Sequence, residues 1–333
     1  MSNKKPNSMQ QQASKNFQQV TGNFVRAWKA GIDSPVKAAT IIRLGVGALF
    51  IVGGFNKLSK LLFPKSSEAL LASYTSTSGY INEFFMNYLF GPTSWLTPWS
   101  FLTSLSAFEL LSGIALIAGL LVRPLAIVYG FLLWTFVLAL PVVTANGVDP
   151  GVKTYMAPAL LVQIRDVALS GMMFALYGLG SGLRSLDERV FGSEAVKPLF
   201  GWDATGLLLR LSVASVLIVG GVFAGMPNIK TFIEPGIVLT ALGLALLWGG
   251  RVGKYAAAAA LAVIVLYVFS KLSLAKGIVG NLNSIKREIA LFAAFLVLSL
   301  KDSGAIWTAS DIANRLRKGW SLAHANLAGS TAE

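Results

Sequence analysis

The chain repeats itself, and that repeat limits its fold more than any single motif. Arg43-Leu44 opens one apolar stretch and leads into Ile51-Val52-Gly53-Gly54. Arg210-Leu211 opens another and leads, in the same register, into Ile218-Val219-Gly220-Gly221. Further on, Arg165-Asp166-Val167-Ala168-Leu169 is echoed by Arg287-Glu288-Ile289-Ala290-Leu291, with Gly182 answered by Gly304. A repeat of this length fixes architecture before any local reading. The landmarks sort the apolar segments into two sets of four, at 42–62, 101–121, 124–143 and 161–180, then 207–225, 234–250, 255–273 and 287–300. The expected fold is an all-α integral membrane protein built of two tandem four-helix transmembrane units, about eight spans. The expected divisions are a basic tail 1–37, a first unit 38–200 with a long outer loop 63–100, a degenerate second unit 201–312, and a tail 313–333.

Composition points the same way. Charged residues make up 13% of the 333, against about a quarter in soluble domains, while 54% are hydrophobic and the mean hydropathy is +0.64. The net charge of +13 sits in the tails and at segment ends, where Lys and Arg set topology, and not on one folded face. Membrane lipid is therefore the expected partner, and nucleic acid is not. The positive-inside rule predicts a multi-pass protein of the cell inner (cytoplasmic) membrane with both termini cytoplasmic. Residues 1–37 lack an early apolar core and read as a cytosolic tail instead of a signal peptide. Cysteine is absent and the one histidine, His324, lies in the C-terminal tail. No metal or haem is expected to be held by this chain, so any redox metal would come from a partner.

Ionisable residues at membrane depth each need an account. Lys57 lies fourteen residues beyond Arg43, and Glu109 fourteen before Arg123. At the helical rise both stand about 21 Å from those cytosolic anchors, so in antiparallel neighbours they share one depth toward the outer side. Arg165-Asp166 opens the fourth span at its outer end. All four are expected to meet beneath loop 63–100, which is rich in Tyr, Phe and Trp. Such a cluster reads either as an ion-pair lock or as a polar pocket for an anion, a quinone head group or a proton path. The second set aligns Ala224 with Lys57 and Ile237 with Glu109 but keeps Arg287-Glu288. That pattern favours function for Lys57 and Glu109, and structure for the Arg-acid pair. Tyr129, Phe131, Trp134 and Phe136 in the third span would line a quinone slot or serve ordinary packing.

Three stretches resemble the DoxX/DoxD family of small four-helix membrane proteins. They are Arg43-Leu44-x-x-Gly47-x-x-Phe50-x-x-Gly53-x-x-Lys57-Leu58, Glu109-Leu110-x-x-Gly113-x-x-Leu116-x-x-Gly119-Leu120-x-x-Arg123, and Arg165-Asp166 through Gly180-x-Gly182 to Ser185-Leu186-Asp187. The outer loop with Gly91-Pro92 and Trp95 is more similar to the DoxD branch. The resemblance covers about 40–190, and 205–312 looks like a degenerate second copy. It implies the membrane subunit of a thiosulfate:quinone oxidoreductase, with quinone as electron acceptor and a DoxA-like subunit or a terminal oxidase as partner. On that reading Glu109 and Lys57 are catalytic, Glu109 exchanging protons with quinone. Lys57 and Arg165 attract the sulfur anion or a quinone oxygen, and Asp166 and Trp134 complete the quinone site. The rival is a non-catalytic accessory subunit packed against a respiratory complex. A solute transporter ranks last, because the repeat is parallel and the polar cluster belongs to one half.

Overall fold

The computed structural model describes residues 34–76, 79–81, 83–91, 94–140, 153–154, 157–223, 235–301, 304–308 and 310–318. The basic tail through residue 33, Pro92, Ala224 and His324 lie outside the described residues. Eight principal helices run in chain order: α1 (Pro35–Leu61), α4 (Pro98–Ala118), α5 (Val122–Ala139), α6 (Ala159–Leu179), α8 (Trp202–Val222), α9 (Pro235–Trp248), α10 (Gly250–Lys271) and α11 (Ile278–Lys301). Two short helices, α2 (Pro64–Tyr74) and α3 (Glu83–Tyr88), fold the outer loop, and α7 (Leu186–Phe191) lies between the sets. Among the described residues the only ladder is two residues long, β1 (Lys153–Thr154) with β2 (Ala157–Pro158).

The protein is an all-α, multi-pass membrane protein in which, among the described residues, six helices are long and apolar enough to cross a bilayer: α1, α4, α5, α6, α8 and α10. The other two of the eight expected spans are helices that miss this standard for different reasons. Helix α9 has 14 residues, about 21 Å of rise against a hydrocarbon core of ~30 Å. Helix α11 is long enough at 24 residues but starts at Ile278, not at 287. Its first half therefore carries Asn281, Asn283, Lys286, Arg287 and Glu288.

Local chemistry sets several helix ends. Ser34 caps α1 by accepting from the Val36 amide at 3.1 Å, with Pro35 preset at the first helical position. Thr97 and Ser100 form a reciprocal capping box at the start of α4, again with proline (Pro98) at the first position. Gly119 ends α4 in the left-handed region at φ 73°.

In lipid, helices associate through close packing more than through the hydrophobic effect, so small residues mark the seams. Helix α1 packs on α4, and α8 packs on α9. A Cβ on Gly54 would stand 2.5 Å from the Leu110 nitrogen, and one on its counterpart Gly221 would stand 2.6 Å from the Gly236 oxygen. Gly113 and Gly243 do the same from the other side of each seam, against Ile51 and against Ala214 and Ile218. The spacing from Gly113 to Gly243 is also that from Gly119 to Gly249, which corrects the sequence alignment. Leu239, not Ile237, is the counterpart of Glu109 in the second set. Leu239 is buried, whereas Ile237 is 74% exposed.

The two sets join crosswise. The first helix of each set packs on the last helix of the other, α1 on α11 and α8 on α6. At the α1–α11 seam a Cβ on Gly45 would come within 2.5 Å of the Ala293 Cβ. Each first helix is also stapled at its predicted cytosolic end by a buried arginine. Arg43 donates to the Ser181 carbonyl at 2.7 Å and to the Leu183 carbonyl at 3.4 Å. Arg210 donates to the Gly304 carbonyl at 3.5 Å and to the Ile306 carbonyl. Gly119 and Gly249 leave room for these guanidiniums, because a Cβ at either would run into the arginine of its own set. Asp187 closes the first staple by accepting the Leu121 and Val122 amides at 2.7 and 2.9 Å, which caps α5 from a distance.

Replacing Gly54 by Val drives a branched side chain into the α4 backbone and is expected to cost about 1–3 kcal/mol. Gly53→Ala, one position earlier, meets its nearest atom at 3.5 Å and is expected to behave like the parent protein. Thermal unfolding in detergent, followed by loss of the monodisperse peak, checks the pair.

Candidate functional site

A partly open chamber lies at the predicted outer side, with about 120 Å³ open to the centres of water molecules. Helices α1, α4, α5 and α6 wall it, the outer loop covers it, and α11 of the second set closes one side. Its centre is the buried pair Lys57–Glu109, whose side chains are 11% and 9% exposed. Lys57 Nζ lies 2.6 Å from Oε1 and 2.5 Å from Oε2 of Glu109. Equal rise from opposite anchors brings these residues of α1 and α4 to one level. Gly53, one turn before Lys57, keeps the wall low beside them. A Cβ there would sit 3.5 Å from Glu109 Oε2 and 3.6 Å from Lys286 Nζ.

The second polar group is a triangle. Asp166 accepts from Tyr80 at 3.2 Å and from Arg287 Nε at 3.3 Å, while Arg287 Nη2 also donates to the Tyr80 hydroxyl at 3.3 Å. Tyr80 descends from the outer loop and is steadied edge-on by Phe136. Burial, and after it the Asp166 carboxylate, pushes the Tyr80 phenol well above its ordinary range. The phenol therefore stays protonated and donates. Tyr74 and Phe85 join Tyr80 at the chamber, whereas Tyr88 and Trp95 of the same loop point outward at 78% and 90% exposure. Below, Tyr129 stacks on Phe50 at 3.7 Å between ring centroids and shares a 2.6 Å hydrogen bond with Ser112.

Two of the residues expected at this site stand elsewhere. Arg165 turns into the second set, where Nη2 meets Glu288 Oε1 at 2.9 Å and the Tyr267 hydroxyl at 3.3 Å. Successive helical residues diverge by about 100°, so Asp166 can face the chamber only if Arg165 faces away. Trp134 is 42% exposed on the outer face of α5 and does not line the chamber, while Phe136, two residues on, does. The Arg-acid motifs are not helix-end pairs either. Arg165 of the first motif bonds the acid of the second, and Arg287 of the second bonds the acid of the first. Lys271 adds a second cation to Glu288 at 3.0 Å.

Sequence reasoning missed Lys286, Arg287 and Tyr80 as chamber residues. The run Lys286-Arg287-Glu288 reads as the charged edge of the eighth apolar segment, and nothing in one dimension says that α11 borders the first set. Among the described residues no group of three His, Cys, Asp or Glu is placed to hold a metal.

Residues 38–144, the segment that supplies α1, α4 and α5 with Lys57 and Glu109, match the model of the DoxX family. No curated protein and no solved structure matches the chain.

Glu288 neutralises two cations at once, which sets an order of cost for its variants. Glu288→Gln leaves Arg165 and Lys271 without a counter-charge and is expected to destabilise the protein by about 3–5 kcal/mol, the penalty of breaking a buried pair. Arg165→Met, which still leaves Lys271 on Glu288, is expected to cost less. Denaturation in mixed micelles gives the order, and equal effects would remove the shared role of Glu288.

Proposed function

We propose that this membrane protein, with its match to the DoxX family, is a polytopic subunit of a quinone-linked oxidoreductase of thiosulfate:quinone type. We place it in the cytoplasmic membrane with both termini inside. The observation that carries the reading is a charged pair, Lys57–Glu109, opening into an aromatic-walled chamber at membrane depth. Reducing a quinone to its quinol needs an apolar slot for the ring and a proton source at each oxygen. Two thiosulfates joining through a new S–S bond release two electrons, and the quinone takes these with two protons.

In this reading the Glu109 carboxylate takes up a proton from the aqueous side and passes it to the quinone oxygen, and Lys57 holds the carboxylate before and after the transfer. The Tyr80–Asp166–Arg287 triangle provides a second set of polar hydrogens across the chamber. The chain has no cysteine and one histidine, in the tail, so electrons reach the quinone from the sulfur anion or a partner subunit such as a DoxA-like protein. The accessory role keeps the same ion pairs but gives the aromatic chamber no task.

Glu109→Gln keeps size and hydrogen bonding and removes the proton. Thiosulfate-driven quinone reduction per folded molecule is expected to fall by about 10²-fold, beyond any loss of yield from leaving Lys57 without its counter-charge. Normal turnover in a well-folded variant would refute the catalytic reading and leave the accessory one. Reporter fusions after residues 150 and 195 are expected to score outside and inside respectively, and one compartment for both would overturn the orientation.

A further inference from the structure

The chamber holds more positive than negative charge, and the surplus is Lys286. Lys57 is matched by Glu109 and Arg287 by Asp166. Lys286 Nζ donates to the Asn283 side-chain oxygen at 2.8 Å. Among the described residues no carboxylate oxygen comes within the 4.0 Å of an ion pair to it. A part-buried ammonium without a counter-charge is costly: burial, and after it the Arg287 and Lys57 cations, lowers the Lys286 pKa to about 7, so an anion placed on Nζ would restore the full charge there.

Two further observations say what kind of anion. The walls beside Lys286 are rings, from Phe50, Tyr80, Phe85, Phe101 and Phe136, and ring faces and edges favour a flat aromatic guest. The space, about 120 Å³, is of the order of the ~150 Å³ cavity that takes up benzene. The cation also comes from one side only. The position of the first set that corresponds to Lys286 is Ile164, so the second set brings to the chamber a charge the first set lacks.

We propose that the chamber binds a planar aromatic anion, its ring between the aromatic walls and its charged oxygen on Lys286. An aromatic carboxylate and a quinone with an ionised ring hydroxyl share this chemistry. The proposal uses the same chamber as the oxidoreductase reading but does not rest on its chemistry, and its test involves no turnover.

Titration calorimetry on the purified full chain in detergent would compare benzoate, its neutral isostere benzamide, 2-hydroxy-1,4-naphthoquinone and thiosulfate. Benzoate is expected to bind saturably, to weaken by about tenfold or more in Lys286→Met, and to recover in Lys286→Arg, as for a lost charge pair. Benzamide is expected to bind all three alike. Gly53→Val, which fills the chamber and keeps Lys286, is expected to weaken benzoate and benzamide together, which serves if Lys286→Met does not fold. Hydroxynaphthoquinone binding tighter than benzoate would identify the ring as a quinone, and the reverse order would identify a carboxylate. Unchanged benzoate affinity in folded Lys286→Met overturns the proposal. So does the absence of saturable binding by either aromatic anion, or Lys286-dependent binding of thiosulfate alone.

Discussion

Two acids and two arginines exchange partners between the sets, and the remaining architecture is arranged around that exchange. Asp166 takes Arg287 while Glu288 takes Arg165, so neither Arg-acid motif closes on itself. At membrane depth an isolated charge costs several kcal/mol, and separating the sets would strand Arg165, Asp166 and Arg287, leaving Glu288 with Lys271 alone. The exchange therefore works as a register lock, penalising any sliding of α6 and α11 past each other. It also decides the site. Because Arg287 must reach Asp166, α11 is drawn against the first set, and Lys286 arrives at the chamber with it.

The two sets share their seams and differ in their use of them. Gly54 and Gly221 allow close approach of the first and second helices, and Arg43 and Arg210 staple the first helix to the segment after the fourth. These are requirements of packing and backbone satisfaction, and they recur. The chamber does not recur. Leu239 occupies the place of Glu109, and Ile164 that of Lys286. A buried pair such as Lys57–Glu109 costs more to desolvate than an apolar pair of similar volume. The second set packs the same first–second helix seam with a leucine in the place of the acid, so the seam itself does not require the charge.

The sequence by itself determined the membrane class, the repeat landmarks and the level shared by Lys57 and Glu109. All of these follow from one-dimensional quantities: apolar run length, repeat register, and 1.5 Å of rise per residue counted from a basic anchor. Helix starts at Ser34 and Thr97 were likewise written locally, in a capping side chain followed by proline. Tertiary structure decided which faces met. The turn of Arg165 into the second set and of Trp134 toward the outer face depends on helix rotation, which the order of residues along a largely apolar helix does not state. The partners of Asp166 and Glu288 depend on how the sets cross, and charge alone allowed each acid its own neighbouring arginine. The extra length of α11, and so the position of Lys286, is hidden because its first turns carry Asn281, Asn283 and Lys286 and break the apolar run, and its seam with α1 joins segments more than two hundred residues apart.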